Sequence, residues 1–251
     1  MRRRIMGSLV LVCLVTLPLG ATGAGAVASR PRISARGSTS SGGWASSNWS
    51  GYAVTGGPYS TITGDWNVPT VSASRKAAYS SNWIGIDGFN NSSLIQTGTE
   101  QDYYNGRAHY GAWWEILPAA ETVIPSLTVS PGDHMHASIT KGSGSSWTIV
   151  LADVTTGKSF TTVQTYTGAQ TSAEWIEEAP TVGGHVAPLA NYHSSVFDPG
   201  TVNGASPGLV ASEGGVMVQN RAQVSTPSLP DSEADGFTAQ YGSTVPAAPT
   251  S

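Results

Sequence analysis

The 251-residue chain contains a single cysteine, Cys13, and it lies in an N-terminal stretch patterned like a secretory leader. The remainder has no thiol, which excludes disulfides, a cysteine nucleophile, and Cys-ligated zinc or iron–sulfur centres. Charge is also scarce, with Asp, Glu, Lys and Arg making up 11% of residues. Six Lys and Arg follow residue 36, against all 16 Asp and Glu. Six scattered cations form no basic patch, so a nucleic-acid partner is not expected. In acid the carboxylates neutralise and few cations remain to repel one another, so this composition tolerates low pH. Capped helical periods, a G-x-S-x-G elbow after a strand, and internal repeats are all missing.

Arg2, Arg3 and Arg4 precede an apolar run from Ile5 to Leu19 and a small-residue stretch from Ala21 to Ala28. That order is the signature of a signal peptide over residues 1–28, with cleavage after Ala26 or Ala28. The run is short, is broken by Pro18, and has no stop-transfer pattern after it, which argues against a membrane anchor. A secreted, extracellular protein is therefore expected. Residues 29–43 are polar, basic and Gly/Ser-rich, and read as a flexible prosegment or linker. About 210 residues remain, enough for one domain with a sizeable core, placed at residues 44–244 and followed by a disordered Pro/Ala tail over 245–251.

From Trp44 onward the pattern is that of strands. Ile62, Trp66 and Val68 alternate with Thr63, Asp65 and Asn67, while Met135, Ala137 and Ile139 alternate with His134, His136 and Ser138. Trp147, Ile149 and Leu151 share one parity. The turn residues Thr155, Thr156, Gly157 and Lys158 then lead into a return strand from Phe160 to Tyr166, which completes a hairpin. Many short strands with 30 Gly and 15 Pro point to an antiparallel all-β sandwich or barrel.

The candidate chemistry is less plain. His134 and His136 share one face of a strand, but no third ligand lies nearby, so they read as two exposed histidines beside a turn, and no metal is assigned. In the segment from Ala173 to Glu178, an extended backbone puts Glu174 and Glu178 on one face and Trp175 and Glu177 on the other. Solvent exposure accounts for such glutamates as readily as a cleft does. Gln96, beside a Gly turn, carries no signal of its own. Asn48, Asn90 and Asn91 sit in N-x-[ST] patterns that a secreted chain can glycosylate.

A set of short words in a fixed order changes this reading. Asn48, Trp49, Ser50 and Gly51 are followed by Trp66, Asn67, Val68 and Pro69. Trp83, Ile84, Gly85, Ile86, Asp87 and Gly88 come next, then Leu94, Ile95, Gln96, Thr97 and Gly98, and after them Ala112, Trp113, Trp114 and Glu115. The Thr155, Thr156, Gly157 turn and the Ala173–Glu178 segment complete the series. In this order the words resemble the glutamic peptidase (eqolisin) family from about Asn48 to Asp198, and more loosely to Asp235, Gly236 and Phe237.

The resemblance implies an antiparallel β-sandwich of two curved sheets, of the concanavalin A-like or jelly-roll type, and hydrolysis of peptide bonds in acid. It places the catalytic pair on Gln96 and Glu178, with Glu177 the neighbour to exclude, and supporting or substrate-binding roles on Trp49, Trp83, Asp87, Trp113 and Glu115. It calls for no cofactor, and the partners it implies are polypeptide substrates, with neither nucleic acid nor membrane and a monomeric state. The chain departs from the family in lacking the disulfides of fungal members, in having Glu177 where an apolar residue is common, and in following the glutamate with Ala179 and Pro180. Two other readings are a sandwich glycoside hydrolase using Glu115 and Glu178, which leaves Gln96 without a role, and a sandwich that binds carbohydrate or peptide without turnover.

Overall fold

The computed structural model describes residues 28–29 and 43–250. The expected signal peptide and basic linker lie outside the described residues, apart from Ala28, Ser29 and Gly43. In chain order the first strands are β1 (Ala28–Ser29), β2 (Trp44–Ser46), β3 (Trp49–Thr55), β4 (Thr61–Asn67), β5 (Ser81–Ile86) and β6 (Ile95–Tyr104). They are followed by β7 (Arg107–Ile116), β8 (Thr122–Val123), β9 (His134–Lys141), β10 (Ser146–Asp153), β11 (Lys158–Thr165) and β12 (Ser172–Glu178). The last are β13 (Thr181–Val182), β14 (His185–Val186), β15 (Ser194–Val202), β16 (Gly214–Gln219), β17 (Ala222–Pro227) and β18 (Phe237–Tyr241). Among the described residues the one helical element is a single 3-10 turn, Ala211–Glu213, and no helix is long and apolar enough to cross a membrane.

The strands form one long antiparallel ladder in the order β11-β10-β9-β4-β15-β18-β17-β16-β3-β12-β5-β6-β7-β8, with β2 added parallel to β16. A small separate sheet runs β1-β13-β14. The long ladder makes the two layers of a sandwich. Trp175 on β12 donates from Nε1 to the Thr63 carbonyl on β4 at 2.8 Å, and Trp66 on β4 donates to Thr99 Oγ1 on β6 at 2.9 Å. Gly64 and Gly200 permit this approach: a Cβ on Gly64 would stand 2.8 Å from Trp175 Cδ1, and one on Gly200 2.7 Å from Trp175 Nε1.

Between the layers lies the main core, with Ile62, Trp66, Met135, Ile139, Ile149 and Leu151 on one side and Val54, Ile84, Ile86, Ile95 and Trp175 on the other. The inward residues are those that the sequence alternation selects. β10 alternates strictly between half-buried and buried positions, and pairs with β11 from Ser146↔Thr165 to Asp153↔Lys158, so the expected hairpin is present. β12 is different, because all seven of its residues are buried.

Candidate functional site

Register places the polar residues of interest. On β12, Glu178 is paired with Trp49 of β3 and Ser81 of β5, Ile176 with Gly51 and Trp83, and Glu174 with Ala53 and Gly85. One strand further, Gly85 is opposite Gln96 and Trp83 opposite Gly98; beyond that, Gln96 meets Glu115 and Gly98 meets Trp113. Residues directly opposite in a ladder share a face, and that face alternates along each strand. One face of the β3-β12-β5-β6-β7 sheet therefore carries Trp49, Glu178, Glu174, Trp83, Gln96, Trp113 and Glu115 together. The other face carries Trp175, Ile84 and Glu177, and turns toward the main core.

The floor of the polar face is a second apolar cluster of Trp49, Trp83, Leu94, Trp113 and Ile176. Trp49 and Trp83 meet edge to face, with ring centroids 4.8 Å apart. The Trp83 indole lies along its strand. Its Nε1 donates to Glu178 Oε2 at 2.7 Å, while its Cζ3 end lies 2.9 Å from where a Cβ on Gly85 would stand. Only glycine leaves room for the ring there, and Gly85 is the partner of Gln96. The ring thus bridges the stretch of sheet between Glu178 and Gln96.

Each of the two is oriented by partners. Glu178 also accepts from Asn48 Nδ2 at 3.2 Å through Oε1, and Asn48 is held in turn by Ser46 Oγ, which donates to Asn48 Oδ1 at 2.8 Å. Gln96 donates from Nε2 to Glu115 Oε2 at 2.5 Å. With Glu115 ionised the carboxylate can only accept, which fixes which end of the amide faces it. Gln96 Oε1 and Trp49 Nε1 are buried and have no partner among the described residues. Trp113 Nε1 donates to Ser81 Oγ at 3.1 Å, and Ser81 Oγ donates to the Thr99 carbonyl at 2.8 Å. Gln96, Glu115, Glu174 and Glu178 are each fully buried, so the solvent-facing reading of these glutamates does not hold.

Not every expected residue joins this group. Asp87 sits at the end of β5 with φ 71°, and its two oxygens accept from Tyr166 OH, Asn91 Nδ2, Thr171 Oγ1 and the Gln170 and Thr171 amides. Burial alone would raise its pKa, but these hydrogen bonds hold it below the usual carboxylate range. Its visible work is to tie the segment leading into β12 onto the end of β5. Glu177 is buried behind the site, where it accepts from Asn82 Nδ2 at 2.9 Å.

His134 and His136 are more than two exposed side chains. His134 Nε2 lies 2.9 Å from Asp65 Oδ2 and His136 Nδ1 2.6 Å from Asp65 Oδ1. The hydrogen bond to Asp65 raises the His136 pKa against the opposing effect of burial. Among the described residues, one group of three carboxylates, Asp198, Asp231 and Asp235, has oxygens within 4.8 Å of one another. Burial first, and repulsion among neighbouring acids second, raise the pKa values of Asp198 and Asp235.

Asn48 and Ser81 are the site residues that the sequence reading passed over. Asn48 belongs to the quoted N-W-S-G word, and a fully buried asparagine spent on Glu178 is no glycan acceptor in the folded chain. Asn91 is likewise committed, to Asp87 and Thr171.

The chain matches the Peptidase A4 family over residues 47–239. It is 32% identical over 178 residues to aspergillopepsin-2 of Aspergillus niger, covering 61% of this chain and 62% of that protein. It is 35% identical over 137 residues to scytalidopepsin B of Scytalidium lignicola, covering 53% of this chain and 51% of that protein. The matched part thus spans less than two thirds of either relative. Scytalido-glutamic peptidase, solved with a peptide-based transition state analog, superposes with a TM-score of 0.63 at 26% identity, covering 78% of this chain and 98% of that one.

Proposed function

This chain belongs to the Peptidase A4 family, and from that premise we propose that it is a secreted acid endopeptidase in which Glu178 and Gln96 hydrolyse the peptide bond through an activated water. The observation that carries the proposal is their placement on one face of one sheet, with β5 between them and the side chain of each oriented by its own partner. Strand spacing and rise put the two Cα atoms on the order of 16 Å apart in a flat sheet. The substrate carbonyl and the attacking water would lie in the span between the two side chains.

Amide hydrolysis without a metal or covalent intermediate needs a base for the water, a donor for the oxyanion, and an acid for the leaving amine. Glu178 serves as base and then as acid, because the proton it takes from water is the one the departing nitrogen needs. Asn48 and Trp83 hold its two oxygens from opposite ends and fix the carboxylate plane. Gln96 donates one Nε2 hydrogen to Glu115, which leaves a second for the oxyanion and Oε1 to accept from the water. A neutral amide remains a donor at every working pH. A histidine base would be protonated in acid.

Glu178 must be ionised when substrate binds, and an ordinary glutamate titrates near pH 4.3. Activity then falls as pH drops through the pKa of Glu178, and a second carboxyl that must stay protonated supplies the alkaline limb of the expected acid bell. The test is digestion of a denatured protein such as casein at acid pH, with and without an aspartic-peptidase inhibitor. Release of peptides that the inhibitor does not slow is expected. Release of sugar from polysaccharide instead, or peptide release blocked by the inhibitor, contradicts the proposal.

A further inference from the structure

β6 and β7 run on past the candidate pair as a long hairpin. Glu100 is opposite Ser81 and Gly111, Asp102 is opposite His109, and Tyr104 is opposite Arg107. These positions have the parity of Gln96 and Glu115, so the face that carries the pair continues along the hairpin to its tip. Packing agrees, because Tyr103 and Tyr110, which have the other parity, lie against the main core. Just before β5, Ala78 bridges Tyr103 in the same register, which sets Tyr79 beside Asp102 on the site face.

Three rings stack on this extension. Tyr104 and His109 lie parallel, with centroids 3.7 Å apart and 3° between their planes, and Tyr79 stacks on Tyr104 at 5.8 Å and 21°. All three side chains are half-buried, so they form a shelf rather than a piece of core. Two carboxylates adjoin it. Glu100 bends across β7, where a Cβ on Gly111 would stand 2.9 Å from its Oε1, and Asp102 accepts from the Ser80 amide at 3.1 Å. Burial first, and then the charges of Asp102 and Glu100, raise the pKa values of Tyr79 and Tyr104. Arg107 opposes this at Tyr104 and has less effect than either acid, so negative charge dominates at the rings.

We propose that the Tyr79–Tyr104–His109 shelf is a remote subsite that receives one lysine or arginine side chain of the polypeptide substrate. The inference rests on the peptidase reading above. The register makes the shelf and the candidate pair parts of one continuous sheet face. Ring faces beside carboxylates attract a cation, and the aliphatic stem of Lys or Arg can lie along the rings while its charged head reaches the acids. Asp and Glu are repelled at the same place. Midway between the rows of Gln96 and Glu178 lies Gly98, and from there Asp102 and Tyr104 are about 13 and 20 Å along the strand. An extended substrate would reach the shelf about four to six residues from the cut.

The experiment uses peptides with one cleavage site, carrying a single Lys, Arg or norleucine at each position up to eight residues from the cut. The parent, Tyr104→Ala and Glu100→Gln are compared at pH 5, above the ordinary range of carboxylate titration. In the parent, Lys and Arg should exceed norleucine about tenfold in kcat/KM at one remote position, with the difference in KM. Both variants should bring that ratio close to one, and Glu100→Gln does so without removing a ring from the stack. Peptides too short to reach the hairpin should show no such preference in any of the three proteins. A parent indifferent to charge at every remote position, or a preference that survives in both variants, would overturn the subsite and leave the peptidase reading intact. If the parent cleaves no peptide, that reading fails by itself, and binding of labelled Lys- and norleucine-bearing peptides to the three proteins decides the subsite. A Lys preference that both variants lose upholds it, and equal binding of the two peptides to the parent overturns it.

Discussion

β10 and β12 are strands of the same sandwich, and each pairs on both sides, yet their sequences follow different rules. β10 alternates, with Trp147, Ile149 and Leu151 in the core and Ser146, Thr148 and Val150 on the outer face. β12 buries all seven positions, including Glu174, Glu177 and Glu178. Its inner face puts Trp175 into the core, while its outer face meets a second apolar cluster rather than water. Burying carboxylates costs several kcal/mol each unless partners are arranged for them. A strand that bears this cost on both faces is shaped by more than folding, whereas β10 shows what folding alone requires.

Substitutions in the two strands should have opposite consequences. The largest effect is expected for Glu178→Gln, which keeps the shape and loses the base. Its kcat should fall about a thousandfold or more with KM little changed, measured on a protein whose circular dichroism and unfolding midpoint match the parent. Next is Ile149→Ala on β10, which should cost about 2–5 kcal/mol of stability in urea unfolding and leave kcat/KM of the folded fraction unaltered. Should Ile149→Ala disturb turnover at full foldedness, the separation between the strands fails.

Glu115→Leu tests the orientation of Gln96. With no acceptor the amide is free to flip, and kcat should drop roughly 10- to 100-fold. Glu115→Gln, which still offers an acceptor oxygen, should recover most of that loss.

The smallest effect lies on the outer face of the other layer, with the Asp65–His136 pair. The folded-state pKa of His136 is raised by Asp65, so the pair stabilises the fold fully below the unfolded histidine pKa of about 6.5. That contribution disappears as pH rises through the higher folded value. His136→Gln should therefore lower Tm slightly at pH 5 and hardly at all in mild alkali. The raised pKa values of Asp198 and Asp235 act in the same direction: their penalty is absent below about pH 3.8 and grows as pH rises through their folded values. Asp87 works the other way, stabilising above the unfolded carboxylate pKa and losing that contribution as acid titrates it. Melting curves across pH separate these signs.

The alternation that exposes β9 and β10 in the sequence does so because each has one wet face, and the Thr155–Lys158 turn marks their hairpin partner. β12 breaks that logic, since a strand covered on both sides shows no alternation, and its glutamates look like surface residues. Gln96 and Glu178 become visible through ordered family words rather than through spacing. Their partners are hidden for a plainer reason, which is distance along the chain. Asn48 is 130 residues from Glu178 and Trp83 is 95 residues from it, and only the register of β3, β12 and β5 joins them. The Asp65 link to His134 and His136 spans 69 and 71 residues across β4 and β9, which is why those histidines read as unattached.

The most direct test of the central claim is a double-mutant cycle on Gln96→Ala and Glu178→Gln, with kcat measured on one peptide at the acid optimum. If both act on the same carbonyl and the same water, each single change should remove most of the rate, and the double variant should be hardly slower than Glu178→Gln alone. Two penalties that simply multiply, or a Gln96→Ala protein that turns over at the parent rate, would contradict it.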